Sequence, residues 1–242
     1  MPPFSLPESV LLLARALDHT LLRPDASQED IEALCKEALQ YPFASICVQP
    51  YWVPFVVPRM YESGVAVSTV VGFPLGANTT TMKVAETQEA VAAGATEIDM
   101  VLNIGELCGG NIDAVFRDME AVISAAREEG AITKVILETA YLSDSRKHAA
   151  CEMARDARAA FVKTSTGFAS SGATVADVAL LRSSVPATMG VKASGGIRTL
   201  DDARAMLSAG ANRIGTSAGV KIIQSALSEV ASESNTERAA RL

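Results

Sequence analysis

Along much of the chain, apolar positions recur with helical spacing and then give way to short aliphatic runs. Ile31, Leu34, Cys35, Ala38 and Leu39 make one stripe, and Ile112, Val115, Phe116, Met119, Val122 and Ile123 make another. Ser27-Gln-Glu-Asp30 reads as a capping box for the first of these. Thr174-Val-Ala-Asp177 and Thr199-Leu-Asp-Asp202 start two further helices. Helices also fit 79–93, 143–159 and 217–231. Several end at glycine, which suits the left-handed position that closes a helix, and a strand follows at once. Ala93-Gly94-Ala95 leads into TEIDMVL, Gly130-Ala131 into ITKVILE, and Ala209-Gly210-Ala211 into NRIGT.

The strands predicted this way are 17–20, 45–48, 65–71, 97–102, 134–138, 161–164, 190–194 and 213–216. Strands that alternate with helices imply a parallel sheet. Eight such units in 242 residues, with no Pro/Gly/Ser-rich linker, fit a single-domain (β/α)8 TIM barrel. An open doubly wound sheet would need a GxGxxG turn after its first strand, and none stands there.

Composition narrows the function. The chain is 49% hydrophobic but only 5% aromatic, ample for a large aliphatic core. A net charge of −7 disfavours nucleic acid and anionic membranes as partners. Cys35, Cys47, Cys108 and Cys151 show no CxxC spacing, so neither a zinc site nor a disulfide framework is expected. The early apolar run 10–14 is too short for a membrane span or signal segment. The expectation is a soluble cytoplasmic protein, with the oligomeric state, a homo-oligomer included, left open.

The strands carry residues that packing does not explain. Asp18 and Thr20 lie on the first, Cys47 on the second, Asp99 on the fourth and Lys134 with Glu138 on the fifth. Lys163 lies on the sixth and Lys192 on the seventh. In FVKTSTGF (161–168), alternation puts Phe161, Lys163 and Ser165 on one face, and Val162, Thr164 and Thr166 on the other. A lone buried ammonium tends to shed its proton. Lowering a lysine from ~10.4 to about 7 takes roughly 4.6 kcal/mol. A second ammonium about 4 Å away supplies on the order of 4 kcal/mol at an effective dielectric near 20. Lys192, on the neighbouring strand, is placed to do so, and a neutral amine adds to carbonyls. SGGIRT (194–199) and GTSAG (215–219) follow the last two strands, where barrels commonly bind phosphate with backbone N–H groups. An amine nucleophile beside a phosphate cradle points to a sugar phosphate. By alternation His19 faces outward and is structural; His148 lies on a polar helix face, and Trp52 packs at the rim. Cys47 reads as a packed strand cysteine, with a reactive thiol as the alternative.

These segments together resemble the deoxyribose-phosphate aldolases. LDHTLL (17–22), ICVQP, TVVGFPLG (69–76), EIDMVLNIG (97–105), KVILET, FVKTSTGF, GVKASGGIRT (190–199) and NRIGTSAG carry the likeness from Leu17 to about Gly219. The resemblance implies a class I aldolase on a TIM barrel that needs no metal or cofactor. Such an enzyme cleaves 2-deoxy-D-ribose 5-phosphate to D-glyceraldehyde 3-phosphate and acetaldehyde. It implies Lys163 as the Schiff-base lysine, Lys192 as the group that lowers its pKa and assists proton transfer, and Asp99 as a proton shuttle with water. It places Thr166, Gly167, Gly195, Gly196, Gly215 and Ser217 around phosphate and sugar, and Asp18, Thr20, Cys47 and Lys134 deeper in the pocket. Some relatives have a second hydroxyl where Ala218 stands, and some end in a tyrosine that SESNTERAARL (232–242) lacks. A transaldolase or fructose-bisphosphate class I aldolase is not expected to carry VKASGGIR one strand after KTSTGF. A non-catalytic phosphate-binding barrel has no use for Lys163, Lys192 and Asp99 together.

Overall fold

The structure, a computed structural model, describes residues 6–239, and side chains as far as residue 232. The segment SESNTERAARL (232–242) therefore lies almost wholly outside the described side chains. The order begins α1 (Glu8–Ala14), β1 (Leu17–Leu21), α2 (Gln28–Ala38), β2 (Ser45–Val48), α3 (Val53–Met60), β3 (Ala66–Val71) and α4 (Thr80–Ala92). It continues β4 (Glu97–Val101), α5 (Ile104–Gly109), α6 (Ile112–Glu128), β5 (Ile132–Ile136), α7 (Asp144–Asp156) and β6 (Phe161–Lys163). It closes with α8 (Val175–Ser184), β7 (Gly190–Ser194), α9 (Leu200–Ser208), β8 (Arg213–Thr216) and α10 (Gly219–Ala239). All neighbouring strands are parallel and β8 pairs with β1, so the sheet closes as a (β/α)8 TIM barrel.

The period of two along each strand divides the molecule. Ile46, Val48, Val67, Ile98, Met100, Val135, Val162, Val191, Ala193 and Ile214 point outward into one apolar layer beneath the helices. Each fully buried Val, Ile or Leu there contributes about 1.5–3 kcal/mol. The alternate positions turn inward, and among them stand Asp18, Ser68, Glu97, Asp99, Lys134, Lys163 and Lys192, all buried. His19 points outward as expected. It is buried against α2, with Nε2 2.7 Å from Glu37 Oε2 and its ring stacked on Phe43 at 4.8 Å.

The predicted capping signals are realised. Ser27 and Asp30 form a reciprocal box, as do Thr199 and Asp202, and Thr174 accepts from the Asp177 N–H. The elements missed from the pattern are α1, α3 and α5. Pro54 and Pro58 mask α3; Pro58 lies inside it, where proline is a poor signal for helix. Strand β5 starts two residues earlier than expected, at Ile132, because its register is set by pairing Glu97 with Ile132 and Asp99 with Lys134. Glu138 consequently lies beyond the strand, in a left-handed conformation with φ 46°.

Candidate active site

At the C-terminal mouth of the barrel, a cavity of about 290 Å³ opens between the loops after β1, β6, β7 and β8. Its wall contains Thr20, Thr166, Gly167, Gly195, Gly196, Gly215 and Ser217, all singled out from the sequence, and Lys163. Arg23, Phe168, Ser194 and Arg198 also line it and had not been marked. Arg198 was legible within SGGIRT, but nothing in the pattern showed which way it faces. Two loops approach closely: a Cβ on Gly172 would lie 2.2 Å from the Gly195 carbonyl oxygen. Gly195 and Gly196 have φ of 87° and 81°, which glycine adopts without strain.

Strict alternation placed Thr166 on the face opposite Lys163. It is wrong here, because β6 ends at Lys163 and the chain turns. Thr166 and Lys163 share the cavity. The Thr166 hydroxyl donates to Glu138 Oε2 and accepts from the Phe168 N–H at 3.0 Å, so its orientation is set by protein groups.

Below the cavity lies a charged cluster. Asp99 receives Lys134 Nζ on Oδ1 at 2.7 Å, and both Lys163 Nζ (2.8 Å) and Lys192 Nζ (2.7 Å) on Oδ2. Lys192 also pairs with Asp18 at 2.5 Å. Asp18, Asp99, Lys134 and Lys192 are fully buried and do not line the cavity. Cys47 is likewise buried, packed with Leu22 and Val70. The deeper residues therefore form a floor beneath the cavity instead of its wall.

Electrostatics separates the amines. Burial lowers Lys163; Asp99 opposes this, and the Lys192 ammonium adds to the lowering. Burial also works against Lys192, but Asp18 and Asp99 overcome it and hold its pKa above the ordinary value. Lys134 is raised as well, since Asp99 and Glu97 outweigh its burial and the Lys192 charge. Burial would raise Asp99, yet Lys134, Lys163 and Lys192 keep it well below the usual carboxylate range. Asp18 is brought to about 2, because Lys192, Lys134 and Arg213 outweigh its burial. Lys163 is thus the amine biased toward the neutral form, and burial is a larger cause than the second lysine. Burial also raises the Cys47 thiol, which speaks against a reactive thiolate.

Two members of this cluster were not marked from the sequence. Glu97 and Arg213, the first residues of β4 and β8, are joined at 2.7 Å. Glu97 also pairs with Lys134 at 2.7 Å, and Arg213 with Asp18 at 2.8 Å. Among the described residues, no group of three or more His, Cys, Asp or Glu is arranged to hold a metal ion. No helix among them is long and apolar enough to cross a membrane.

An inward-facing lysine of lowered basicity under a glycine-lined cavity defines a barrel enzyme suited to carbonyl chemistry. Comparison with known proteins agrees. Residues 12–225 match the family described as DeoC/LacD family aldolase. A deoxyribose-phosphate aldolase from Caldanaerobacter subterraneus is 55% identical over 218 residues, covering 90% of this chain and 94% of that protein. One from Streptococcus sanguinis is 54% identical over 212 residues, covering 88% and 96%. The tetrameric deoxyribose phosphate aldolase of Aeropyrum pernix superposes with a TM-score of 0.83 at 36% identity, covering 91% and 98%. The chain belongs to the DeoC/LacD family of aldolases, and is a carbon–carbon lyase.

Proposed function

We propose that the protein cleaves 2-deoxy-D-ribose 5-phosphate reversibly to D-glyceraldehyde 3-phosphate and acetaldehyde through a Schiff base on Lys163. One observation carries the reading: Lys163 reaches the same cavity as the glycine-rich loops after β7 and β8. Relatives more than half identical bear the name of this activity. The phosphate binds at Gly195, Gly196, Gly215 and Ser217, with Arg198 and Arg23 nearby to offset the chain's overall negative charge.

Neutral Lys163 adds to C1 of the open-chain aldehyde, and loss of water gives an iminium. A proton leaves the C3 hydroxyl, the C2–C3 electron pair moves into the iminium as an enamine, and C3 becomes the aldehyde of the departing triose phosphate. Protonation at C2 and hydrolysis then release acetaldehyde and restore the amine. Asp99, in contact with both Lys163 and Lys192, passes protons with water. Lys192 holds a positive charge beside this path. Phosphate binding fixes the substrate so that C1 meets Lys163. The reaction belongs to the breakdown of deoxyribose phosphates, in a cytoplasmic setting, and the whole chain acts as one catalytic domain. A homo-oligomer is part of the reading, supported by the tetrameric Aeropyrum relative.

The test is incubation with 2-deoxyribose 5-phosphate and borohydride, followed by peptide mass mapping. A reduced adduct on Lys163 is expected; no adduct, or one on another residue, overturns the mechanism.

A further inference from the structure

The charges of the barrel interior form a closed circuit. Asp99 contacts Lys192, Lys192 contacts Asp18, Asp18 contacts Arg213, Arg213 contacts Glu97, Glu97 contacts Lys134, and Lys134 returns to Asp99. Anion and cation alternate throughout, with separations of 2.5–2.8 Å. Three carboxylates and three cations balance within this ring. Lys163 hangs from it by Asp99 alone, as a fourth cation. With Lys163 protonated the cluster carries one excess positive charge, and with Lys163 neutral it carries none. Lys134, Lys192 and Arg213 each touch two carboxylates, whereas Lys163 touches one.

The far side of the ring lies away from the chemistry. Arg213 and Glu97 begin strands β8 and β4, at the barrel end opposite the cavity, and neither lines it. Arg213 packs over the Phe161 ring, 5.8 Å from its centroid. Charge at that end of a barrel would ordinarily be assigned to stability. Here it is joined to the carboxylate that holds Lys163 by two residues on one side, Asp18 and Lys192, and by one on the other, Lys134.

We propose that Arg213 and Glu97 are positioning residues which complete the charge balance of the barrel interior and thereby make Lys163 the amine that gives up its proton. The proposal rests on the reading of Lys163 as the Schiff-base lysine. The groups facing Lys163 are Asp99 from β4, Lys134 from β5 with Glu138 beyond it, Lys192 from β7, Cys47 from β2 and, through Lys192, Asp18 from β1. Arg23 and Arg198 lie at the cavity mouth. Losing Arg213 frees Asp18 for Lys192, and losing Glu97 frees Lys134 for Asp99; each acts in the same sense as the charge removed, which fixes the sign of the response.

The experiment is the pH dependence of kcat/KM for 2-deoxyribose 5-phosphate cleavage, from about pH 5 to about pH 10, with borohydride trapping in parallel. Removing a cation favours protonated Lys163, so Arg213→Met is expected to move the acidic limb up by about one pH unit. Removing an anion has the opposite effect, and Glu97→Gln is expected to move it down by about as much. The double variant removes one of each and is expected to bring the limb back to within about 0.3 units of the parent. Arg213→Lys and Glu97→Asp keep the charges and should leave the limb in place even where the rate falls. Shifts of the same sign, an unmoved limb in both single variants, or a double variant that stays displaced would overturn the proposal. So would failure of both single variants to fold by circular dichroism, which assigns the pair to barrel assembly alone. Absence of a Lys163 adduct in the parent protein is a separate result and sinks the Schiff-base reading itself.

Discussion

Lys163 and Lys192 are register partners on β6 and β7, and their ammonium nitrogens meet the same oxygen of Asp99 at 2.8 and 2.7 Å. Equivalent contacts do not give them equivalent chemistry. Lys192 has a second carboxylate in Asp18, while Lys163, among the described residues, pairs with Asp99 alone and faces the cavity. One lysine is held charged and its neighbour is free to lose its proton.

Lys163→Leu is expected to abolish aldol cleavage and the borohydride adduct while the far-ultraviolet circular dichroism stays that of the parent. The folded state tolerates this change because it also removes the excess cation. Measurable turnover in the purified variant would contradict the role of Lys163.

Lys192→Met removes a cation that opposes charging of Lys163 and frees Asp99 to hold Lys163 more firmly. Both effects raise the Lys163 pKa. The acidic limb of the pH–rate profile should move to higher pH and the rate at neutral pH should fall at least about tenfold, one pKa unit being a factor of ten. A lower rate with an unchanged profile would leave Lys192 with a steric role only.

Asp18 makes stability depend on pH. Its folded-state pKa, about 2, lies below the ordinary 3.8, so the ionised group contributes stability above about pH 4. That contribution, on the order of 2 kcal/mol, is lost as pH falls through about 2. Asp18→Asn leaves Lys192 and Arg213 short of a buried counter-charge and should cost about 3–5 kcal/mol at neutral pH. Urea unfolding at pH 7 and at pH 3 checks both points. The variant should show the smaller change between the two conditions.

Gly172→Ala tests the glycine-rich cradle. Its new Cβ would meet the Gly195 carbonyl oxygen at 2.2 Å, so the loop after β7 must shift. The KM for deoxyribose 5-phosphate should rise about tenfold or more, whereas cleavage of unphosphorylated deoxyribose should change little. An equal loss for both substrates would place the damage in the chemistry instead of phosphate binding.

Arg198→Ala is expected to raise KM for the phosphorylated substrate with kcat nearly unchanged, since the side chain lines the cavity mouth and lies outside the charged cluster. Steady-state kinetics with and without the phosphate separates this from a general defect.

Much of the barrel was legible from local pattern. The Ser27 and Thr199 capping boxes, the glycines closing helices and the eight aliphatic runs are short-range signals that the fold obeys. Where local signals compete or are silent, legibility fails: Pro58 hid α3, and the start of β5 at Ile132 is set by its register with β4. The identities of Lys163, Lys192 and Asp99 as candidates followed from charge in strands that should be apolar.

What the chain could not display by itself is which of its charges meet. Arg213 and Glu97 are 116 residues apart, and each alone reads as an ordinary polar strand end. Closing the sheet brings β4 and β8 across the barrel and turns seven scattered charges into one balanced cluster with a single surplus cation. Composition and period thus determined the architecture and the candidate lysines. Tertiary closure decided which lysine is biased toward the neutral form, because the energy of a buried charge depends on the partners that surround it and not on its neighbours in sequence.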